Sequence, residues 1–379
     1  MDTSLPSERP RHFGSGWISG TLSVSLGLVG LLGVLCFHFP SLLTMTDARA
    51  HYPLPLIRGL LHVILVAGFL AGFASVMLRQ NKTLGLVGMG LVLVAALLGG
   101  SRVEIEGSVH GDYYLGLDYF LLSLIFWSIV FIPLEKLFGR LDQGVFRKGW
   151  RVDLTYYFVS SLMVQLTSWL TLKPAMVFFN WAVSPGLQER VRLQPTWLQI
   201  VEIMFLADLV QYWVHRLFHV VPCLWRFHAV HHSTEVLDWM SGSRLHLVDL
   251  VVSRSAMYVP AYVLGFSDLA MYSYIVFVSV DATFIHANLR FGFGPLRWLF
   301  ATPQFHHWHH GSEREAIDKN FAVHFPFLDM LFGTFYLPGD RWPSAYGVHS
   351  NDVPAGYLAQ WLYPFRRPKP SALASAEKP

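Results

Sequence analysis

Long runs of apolar residues, separated by short polar stretches, dominate the pattern along this chain of 379 residues. Most runs approach the ~20 residues that a helix needs to cross a bilayer. They predict spans at Trp17–Phe39, Ile57–Leu78, Leu84–Gly99, Leu115–Leu134, Leu154–Phe179 and Leu198–Val221, then the pair Leu247–Leu264 and Leu269–Phe284. We expect a hinge near Gly265 within that pair. The third run is short and rich in glycine, so it is the least pronounced of the set.

The composition agrees with this pattern. Of the residues, 53% are hydrophobic and 14% are charged, whereas a soluble protein carries about 25% charged residues. The fold class that follows is an all-α integral membrane protein, a transmembrane helical bundle. The net charge of +3 gives no argument for nucleic acid as a partner. With only two cysteines, Cys36 and Cys223, a CxxC metal site and a multi-disulfide scaffold are both excluded.

The distribution of lysine and arginine indicates the orientation of the bundle. With the N-terminus in the cytoplasm, the inside segments hold nine basic residues and the outside loops hold four, or six if Arg58 and Lys173 are included. This bias follows the positive-inside rule. Because no small-residue cleavage site precedes Pro40, we expect the first helix to be retained. The sixth span and the final hairpin then both return to the cytoplasmic side, near His215 and His286.

Histidine is concentrated in one part of the chain, since twelve of the 18 copies lie between His215 and His324. They form three dense boxes, which are His215-Arg-Leu-Phe-His219, His228-Ala-Val-His231-His232 and His306-His307-Trp-His309-His310. On a helix, positions i and i+3 or i+4 lie on one face about 5–6 Å apart. Each box can therefore aim imidazoles at one point, and an HxxHH helix end can bridge two metal ions. Eight candidate ligands exceed the four of a tetrahedral zinc site, so two metals fit better.

The surroundings of the boxes favour iron as the metal. Imidazole binds zinc, copper, iron and nickel, and spacing alone does not choose among them. Because the boxes lie at the ends of apolar helices, lipid chains are the accessible substrate. Oxidising an inert C–H bond requires a redox metal and O₂, and zinc has no redox chemistry. We therefore expect two iron ions, with O₂ as co-substrate.

Three alternatives stay open at this point. A single HxxxH at a helix end is usually an interfacial pair without metal, although packing alone does not require three such boxes. A zinc-dependent membrane lipid hydrolase needs an acid–base group beside the metal, most simply a carboxylate, and the boxes contain none. A metal transporter needs ionisable residues at midplane depth in several spans, whereas these histidines gather at one face.

The ordered set HxxxH, HxxHH and HxxHH resembles the fatty acid hydroxylase superfamily, also called the sterol desaturase family. The likeness is carried by the stretches Asp208–His219, Phe227–Ser233 and Asp318–His324, the last continuing to Leu331–Phe335. It extends from Ile203 to Leu337. The resemblance implies a membrane di-iron oxygenase whose metal centre caps the bundle on the cytosolic face. Its substrate would be a membrane lipid, such as a sterol, an ether lipid or a fatty acyl chain, which it hydroxylates or desaturates.

The resemblance also implies a set of ligands. By position they are His215, His219, His228, His231, His232, His306, His309 and His310. His286 stands where family members often place a further ligand between the second and third boxes. Some hydroxylases carry another histidine four residues earlier, and this sequence departs from that pattern with Ala282. One metal therefore has fewer imidazoles, or a water takes the place, and no catalytic residue beyond the metal centre is implied.

Four more residues are candidates for contacts around the metals or for extra ligands. Asp208 lies two helical turns before His215, so it can accept the second N–H of a ligand or pair with a cation. His307 sits inside the third box and is expected to support the ligands at most. His246 suits a structural or lipid-headgroup contact as well as ligation, and His324 in the closing stretch can line the site.

The reaction needs two electrons from elsewhere. The chain contains no fused cytochrome b5 motif, no CxxC rubredoxin site and no GxGxxG nucleotide fingerprint. A separate electron donor is therefore predicted, either a ferredoxin or a cytochrome b5 with its reductase. Basic residues on the cytosolic side, namely Arg140, Arg147, Lys148 and Arg151, can dock an acidic donor.

Three segments follow from these patterns. Residues 1–140 form an N-terminal transmembrane module of about four helices, to which the sequence assigns no chemistry. Residues 141–340 form the catalytic domain that resembles the hydroxylase family. Residues 341–379 form a C-terminal amphipathic segment and a disordered tail. We expect a multi-pass protein of a bacterial inner membrane, with the N-terminus and the histidine boxes in the cytoplasm.

Overall fold

The computed structural model describes residues 18–49, 51–105, 112–291, 293–348 and 352–366. The predicted start of the first span at Trp17 and the predicted disordered tail after Arg367 lie outside these residues. Within them, the regular elements are helices, together with two isolated bridges that join Gly139 to Leu289 and Gly311 to Tyr346. Seven of the helices described are long and apolar enough to cross a membrane. The predicted all-α membrane fold is thus confirmed.

The chain divides into two compact units, and the first comprises Met1–Ile125 with Ser161–Gln165. Its described helices are α1 (Ile18–His38), α2 (Pro40–Leu43), α3 (Thr46–Arg49), α4 (Leu54–Leu78), α5 (Thr83–Leu97) and the beginning of α6 (Leu117–Phe138). Small residues let α1, α4 and α5 approach closely. A Cβ atom on Gly88 would lie 2.1 Å from Ser23 Oγ, and one on Gly72 would lie 2.5 Å from the same atom. Such contacts are typical of helices packed within a bilayer.

The second unit comprises Phe126–Ser160 with Leu166–Pro379. The helices that follow α6 are α7 (Trp150–Leu162), α8 (Val164–Phe179), α9 (Pro185–Arg192), α10 (Thr196–Val220), α11 (Pro222–His232), α12 (Leu247–Leu264), α13 (Asp268–His286), α14 (Pro303–His309), α15 (Phe327–Phe332) and α16 (Tyr357–Leu362). The core of this unit includes Tyr212 of α10 and Leu328 of α15, both fully buried. The predicted hinge is confirmed, because Gly265 joins α12 to α13 with a φ of +64°, a backbone conformation that favours glycine.

The predicted continuous span Leu154–Phe179 is wrong in one respect, because it is broken. Helices α7 and α8 form a pair bent by 66° around Met163. At the break, the carbonyl of Leu162 accepts a hydrogen bond from the backbone N–H of Gly116, at 3.3 Å. A carbonyl that finds such a partner outside its helix can leave the helical ladder without an unpaired polar group. The apolar run correctly indicated a segment suited to a bilayer, but it did not indicate that this segment forms two helices.

The bent pair nevertheless connects the two ends of the second unit. At its start, Asp153 bonds Arg244, which lies just before α12. After its end, Arg192 of α9 donates to the carbonyl of Gly265, at the opposite end of α12. The chain therefore passes from one end of α12 to the other between these two contacts. As a result, α10 begins beside the C-terminal end of α12, at Gly265, and runs antiparallel to α12 toward its N-terminal end, near Arg244.

Candidate metal centre

Four helices bring histidines to one end of the second unit. His215 and His219 lie in the last two turns of α10, and α11 starts again at Pro222 after a short turn. Proline suits the first turn of a helix because its missing N–H has no partner there. His286 is the last residue of α13. The third box lies on α14, which begins after Thr302, whose side chain caps the helix by accepting from the N–H of Phe305.

The structure brings all nine predicted rings together and divides them between two pockets. The first pocket, called here the five-histidine pocket, contains His215, His219, His228, His232 and His309. The second, called here the four-histidine pocket, contains His231, His286, His306 and His310. Within each pocket, one nitrogen from every ring lies within 4.8 Å of the others. The positions at the ends of helices thus generate two sites rather than one.

Each HxxHH box contributes to both pockets. In the second box, His228 and His232 face the five-histidine pocket while His231 faces the other. The third box is divided in the opposite sense, because only His309 joins the five-histidine pocket. Residues four apart in a helix share a face, as His228 and His232 do and as His306 and His310 do. His231 and His309, each one position before the second member of its pair, point in a different direction. The two boxes therefore lie between the pockets, as the spacing predicted.

Outer hydrogen bonds fix the orientation of the rings. Backbone carbonyls accept from Nδ1 of four histidines, and the pairs are His215 with Phe321 at 2.8 Å, His309 with Lys319 at 2.8 Å, His286 with Ala282 at 2.7 Å and His231 with Arg244 at 3.2 Å. Because a carbonyl only accepts, Nδ1 of these rings carries the proton. The lone pair of Nε2 is then free to bind a metal, which is the usual arrangement for ligating histidines.

Carboxylates orient two more rings of the five-histidine pocket. Asp249 accepts from Nδ1 of His228 at 2.7 Å, and both side chains are buried. Asp318 accepts from Nδ1 of His219 at 3.2 Å, but half of its side chain is exposed. The inner Nε2 atoms of His219 and His309 are buried without a hydrogen-bond partner. Buried nitrogens of this kind are costly unless something binds them.

The distances between inner nitrogens fit a metal ion in each pocket. Nε2 of His215 lies 3.0 Å from Nε2 of His228, and Nε2 of His231 lies 3.2 Å from Nε2 of His286. Since all four rings carry their proton on Nδ1, these are contacts between lone pairs and not hydrogen bonds. An ion about 2.1 Å from each nitrogen places neighbouring ligands about 3.0 Å apart at a right angle. The residues present therefore fit two metal ions.

Burial keeps the box histidines outside the spans neutral. The pKa values of His231, His232, His306, His309 and His310 lie well below the ordinary value, first because of burial and then because of neighbouring imidazoles. The neutral imidazole is the form that ligates metals.

Two buried carboxylates hold the loop that supports the pockets. Asp329 accepts from the backbone N–H groups of Phe321 and Ala322, at 2.8 and 2.9 Å. Asp208 accepts from those of Val323, His324 and Phe325, at 2.7, 3.1 and 2.7 Å. Five consecutive N–H groups are thus bound, and the first of these residues, Phe321, offers its carbonyl to His215. Asp208 was expected to accept from a ligand ring or to pair with a cation, and in the structure its carboxylate accepts from backbone groups instead.

His246 and His324 lie outside both pockets. Nδ1 of His246 accepts from the N–H of Val248 at the start of α12, and its Nε2 donates to the carbonyl of Trp361. His324 pairs with Asp281, with 2.8 Å between Nδ1 and the carboxylate. Their contacts are structural, so ligation by either residue is not supported.

His307 contacts a ligand through the backbone. Its Nε2 donates to the carbonyl of His286 at 3.2 Å, and its Nδ1 accepts from the hydroxyl of Tyr346 at 2.8 Å. The ring is buried and supports the four-histidine pocket without entering it. At the position where some hydroxylases carry another histidine, the carbonyl of Ala282 binds Nδ1 of His286 instead.

A buried ion network contains Arg147, which was expected to lie at the surface. Arg147 was expected among the residues that dock a donor, but it is 5% exposed and bonds Asp153 and Asp238, each at 2.6 Å. Asp153 is fully buried and also bonds Arg244 at 2.6 Å. The backbone carbonyl of Arg244 accepts from His231. This network therefore supports the four-histidine pocket, and Arg147 is not available to dock a donor.

Similar proteins share this part of the chain. A family model for fatty acid hydroxylases matches residues 200–334. An ornithine lipid hydroxylase from Rhizobium tropici is 33% identical over 241 residues, which are 62% of this chain and 70% of that protein. The human alkylglycerol monooxygenase is 32% identical over 237 residues, which are 61% of this chain and 49% of that protein. A very-long-chain aldehyde decarbonylase from rice is 25% identical over 210 residues, covering 55% and 66%. No solved structure matches the chain.

Proposed function

Because the chain belongs to the fatty acid hydroxylase family, we propose that its two pockets hold two iron ions and that the protein oxidises a C–H bond of a membrane lipid with O₂. The observation that carries this proposal is the pair of adjacent pockets built from nine histidines at one end of a membrane bundle. The proposed ligands are His215, His219, His228, His232 and His309 for one iron, and His231, His286, His306 and His310 for the other.

The chain's own residues bind, orient and shield the metals. When bound, iron supplies the redox chemistry with O₂ that zinc lacks. Asp249 and the backbone carbonyls around the pockets hold five of the nine imidazoles in the ligating tautomer. The box histidines are buried, with His306 3% and His310 1% exposed, so bulk water is excluded from the centre. The balanced hydroxylation is RH + O₂ + 2H⁺ + 2e⁻ → ROH + H₂O. Removal of two neighbouring hydrogens instead gives a double bond, with the balance –CH₂–CH₂– + O₂ + 2H⁺ + 2e⁻ → –CH=CH– + 2H₂O.

The names of the relatives suggest the class of substrate. One is a hydroxylase of ornithine lipids and another is a monooxygenase of alkylglycerols. The first name denotes a lipid and the second a glycerol that carries an alkyl group. We therefore propose a membrane lipid with an acyl or alkyl chain as the substrate of this protein, approached from within the bilayer.

We also propose an orientation in the membrane, a division into domains and an electron donor for this protein. The excess of basic residues in the segments assigned to the inside supports cytoplasmic histidine boxes and a cytoplasmic N-terminus in a bacterial inner membrane. We propose residues 141–340 as the catalytic domain, with residues 1–140 as a membrane module and residues 341–379 as a C-terminal segment. A separate ferredoxin or cytochrome b5 with its reductase would supply the electrons.

Hydrolysis by zinc has less support from the geometry. A hydrolase needs a carboxylate or similar group free to move a proton at the metal. Asp249 and Asp318 are the carboxylates that bond rings of the nine-histidine cluster in the described residues, and both are engaged on the outer side of those rings. Transport is likewise less supported, because the cluster lies at one end of the bundle rather than across it.

The test combines metal analysis with isotope labelling. The protein is purified without oxygen, its iron and zinc contents are measured, and membrane lipids from cells with and without the gene are compared after growth under ¹⁸O₂. We expect two irons per chain and a lipid that carries ¹⁸O or a new double bond only when the gene is present. His62→Ala serves as the control, because His62 bonds Ser101 in the first unit. Stoichiometric zinc with a product formed without O₂ would refute the proposal.

A further inference from the structure

A chain of aromatic contacts leads from the surface to the four-histidine pocket. The ring of Trp342 meets the ring of His307 edge to face, with 5.3 Å between centroids and an angle of 81°. His307 is the peptide neighbour of the proposed ligand His306, and its Nε2 donates to the carbonyl of another, His286. Trp342 itself is only partly buried. A partly exposed indole is thus joined through one buried imidazole to two proposed ligands.

Arg140 holds this aromatic chain in place. Its guanidinium lies 4.9 Å from the centroid of the Trp342 ring. It also donates to the hydroxyl of Tyr346 and to the carbonyl of Pro343. Because Tyr346 bonds Nδ1 of His307, the cation, the phenol, the indole and the imidazole form one fixed group. Stacking on an aromatic face while donating several hydrogen bonds is typical of arginine.

Exposed basic residues lie in the segments joined to Trp342 and Arg140. Arg341 precedes it in the chain and is exposed. Lys136 and Arg290 are also exposed, and backbone bonds tie their segments together, since the N–H of Arg290 donates to Phe138 and that of Arg140 donates to Asn288. Four acidic residues lie in these segments or contact them. Asp340 is neutralised by Arg297 at 2.9 Å, Glu313 accepts from the N–H of Ser344, and Glu135 accepts from the N–H groups of Trp239 and Asn288. Asp142 is exposed, so the exposed residues of these segments remain mostly basic.

We propose that this surface, called here the Trp342 face and formed by Lys136, Arg140, Arg290, Arg341 and Trp342, docks an acidic one-electron carrier protein and passes its electrons through Trp342 and His307 to the metal pair. The inference rests on the proposed function, which requires two electrons per turnover. The carrier is oxidised by one electron in each of two encounters. Those electrons, with two protons from water, complete the balance RH + O₂ + 2H⁺ + 2e⁻ → ROH + H₂O.

The positive charge of the Trp342 face and the contact of Trp342 with His307 both favour an acidic electron carrier as the partner. Complementary charge steers a carrier to the surface and aligns it, and it weakens as salt increases. An aromatic residue near the centre of such a surface is also typical of protein interfaces. The route ends on backbone atoms of the proposed ligands His286 and His306, so a docked carrier does not need to reach the buried pockets.

Docking is tested with metal-free protein, so that the result does not depend on turnover. The probe is an acidic [2Fe–2S] ferredoxin, and its affinity for the detergent-purified chain is measured at several salt concentrations. For the double variant Lys136→Glu with Arg341→Glu, we expect the Kd at low salt to rise about tenfold or more. The double variant Lys173→Glu with Arg190→Glu is the matched control, because both residues are exposed cations, on α8 and α9, that belong to neither the face nor the pockets. An unchanged Kd in the double variant, or an equal loss in the control, would overturn the proposal.

Electron transfer is tested with iron-loaded protein. Trp342→Leu removes the indole but no ligand, and we expect the rate of metal reduction by reduced ferredoxin to fall about tenfold. Reduction by dithionite, a small reductant that needs no docking surface, should change less. If both rates stay at the wild-type value, the aromatic route is refuted. If the charge variants change only the orientation of the chain in vesicles and not ferredoxin affinity, the charges serve the membrane and the proposal falls.

The two proposals fail in distinguishable ways. Hydrogen peroxide can replace O₂ and both electrons, since RH + H₂O₂ → ROH + H₂O is balanced without a donor. Peroxide-driven product from wild-type protein, with no effect of the Trp342 face on ferredoxin binding, would refute only the docking surface. Absence of iron and of any lipid product, with ferredoxin binding intact, would refute the proposed function.

Discussion

Asp249→Asn should weaken metal binding in the five-histidine pocket far more than Asp318→Asn. Both carboxylates accept from Nδ1 of a proposed ligand in that pocket, so the two changes are chemically matched. They differ in environment. Asp249 lies 2.7 Å from His228 with 5% of its side chain exposed, whereas Asp318 lies 3.2 Å from His219 with 50% exposed. A short, buried, charge-assisted bond is stronger than a long one that water screens.

The magnitude follows from these differences. Loss of a buried partner behind a metal-binding histidine typically costs about 10–100-fold in metal affinity, which corresponds to about 1.4–2.7 kcal/mol. Asparagine keeps one acceptor for His228 but loses the negative charge, so we expect the lower half of that range. At Asp318 the interaction is that of a surface ion pair, worth about 0–1 kcal/mol. The expected loss there is below about fivefold.

The assay is an anaerobic titration of metal-free protein with Fe(II) in competition with a chelator of known affinity. Wild-type protein should take up two ions. In Asp249→Asn one binding step should weaken and the other should stay unchanged, because the four-histidine pocket has no contact with Asp249. Circular dichroism and thermal melting check that both variants are folded. Equal losses in the two variants, or a shift of both steps in Asp249→Asn, would show that the outer carboxylate does not act as argued.

Three further predictions follow from the same structure. Asp208→Ala removes the acceptor of three N–H groups, two of them buried, and each buried one costs about 1–3 kcal/mol when unpaired. The melting temperature in detergent should therefore fall clearly, while that of Asp268→Ala, an exposed position, stays close to wild type. His309→Ala should lose iron from one pocket and abolish oxygen-dependent product, whereas His246→Ala, outside both pockets, should retain two irons by metal analysis; retained turnover in His309→Ala would contradict its role. The pKa of His231, like that of the other box histidines outside the spans, is lowered in the folded protein. As the pH falls below about 6.5, the unfolded chain therefore binds more protons than the folded one. Melting curves of metal-free protein should show a loss of stability from that pH downward, and a stability that does not change with pH would refute this prediction.

The break between α7 and α8 shows where sequence reasoning stops. Hydropathy is a property of the residues, so the apolar run at Leu154–Phe179 correctly indicated a segment suited to a bilayer. The bend depends on a carbonyl of Leu162 that bonds Gly116, 46 positions earlier in the sequence. The sequence around Leu162 does not indicate that its carbonyl will bond a residue so far away in the chain. The same holds for Arg147, whose two carboxylate partners lie 6 and 91 positions away.

The residue pattern alone predicted the apolar segments, the hinge at Gly265 and the histidines that meet, but not the break at Met163. It could do so because helical periodicity converts spacing such as HxxHH into a shared face, and because clustered imidazoles have few uses other than binding metal. Only the tertiary structure decided which ring enters which pocket, since that depends on how α10, α11, α13 and α14 cross. It alone identified Asp249, Asp329 and the backbone carbonyls that orient the rings. Backbone carbonyls are present at every residue, so their roles leave no trace in the sequence.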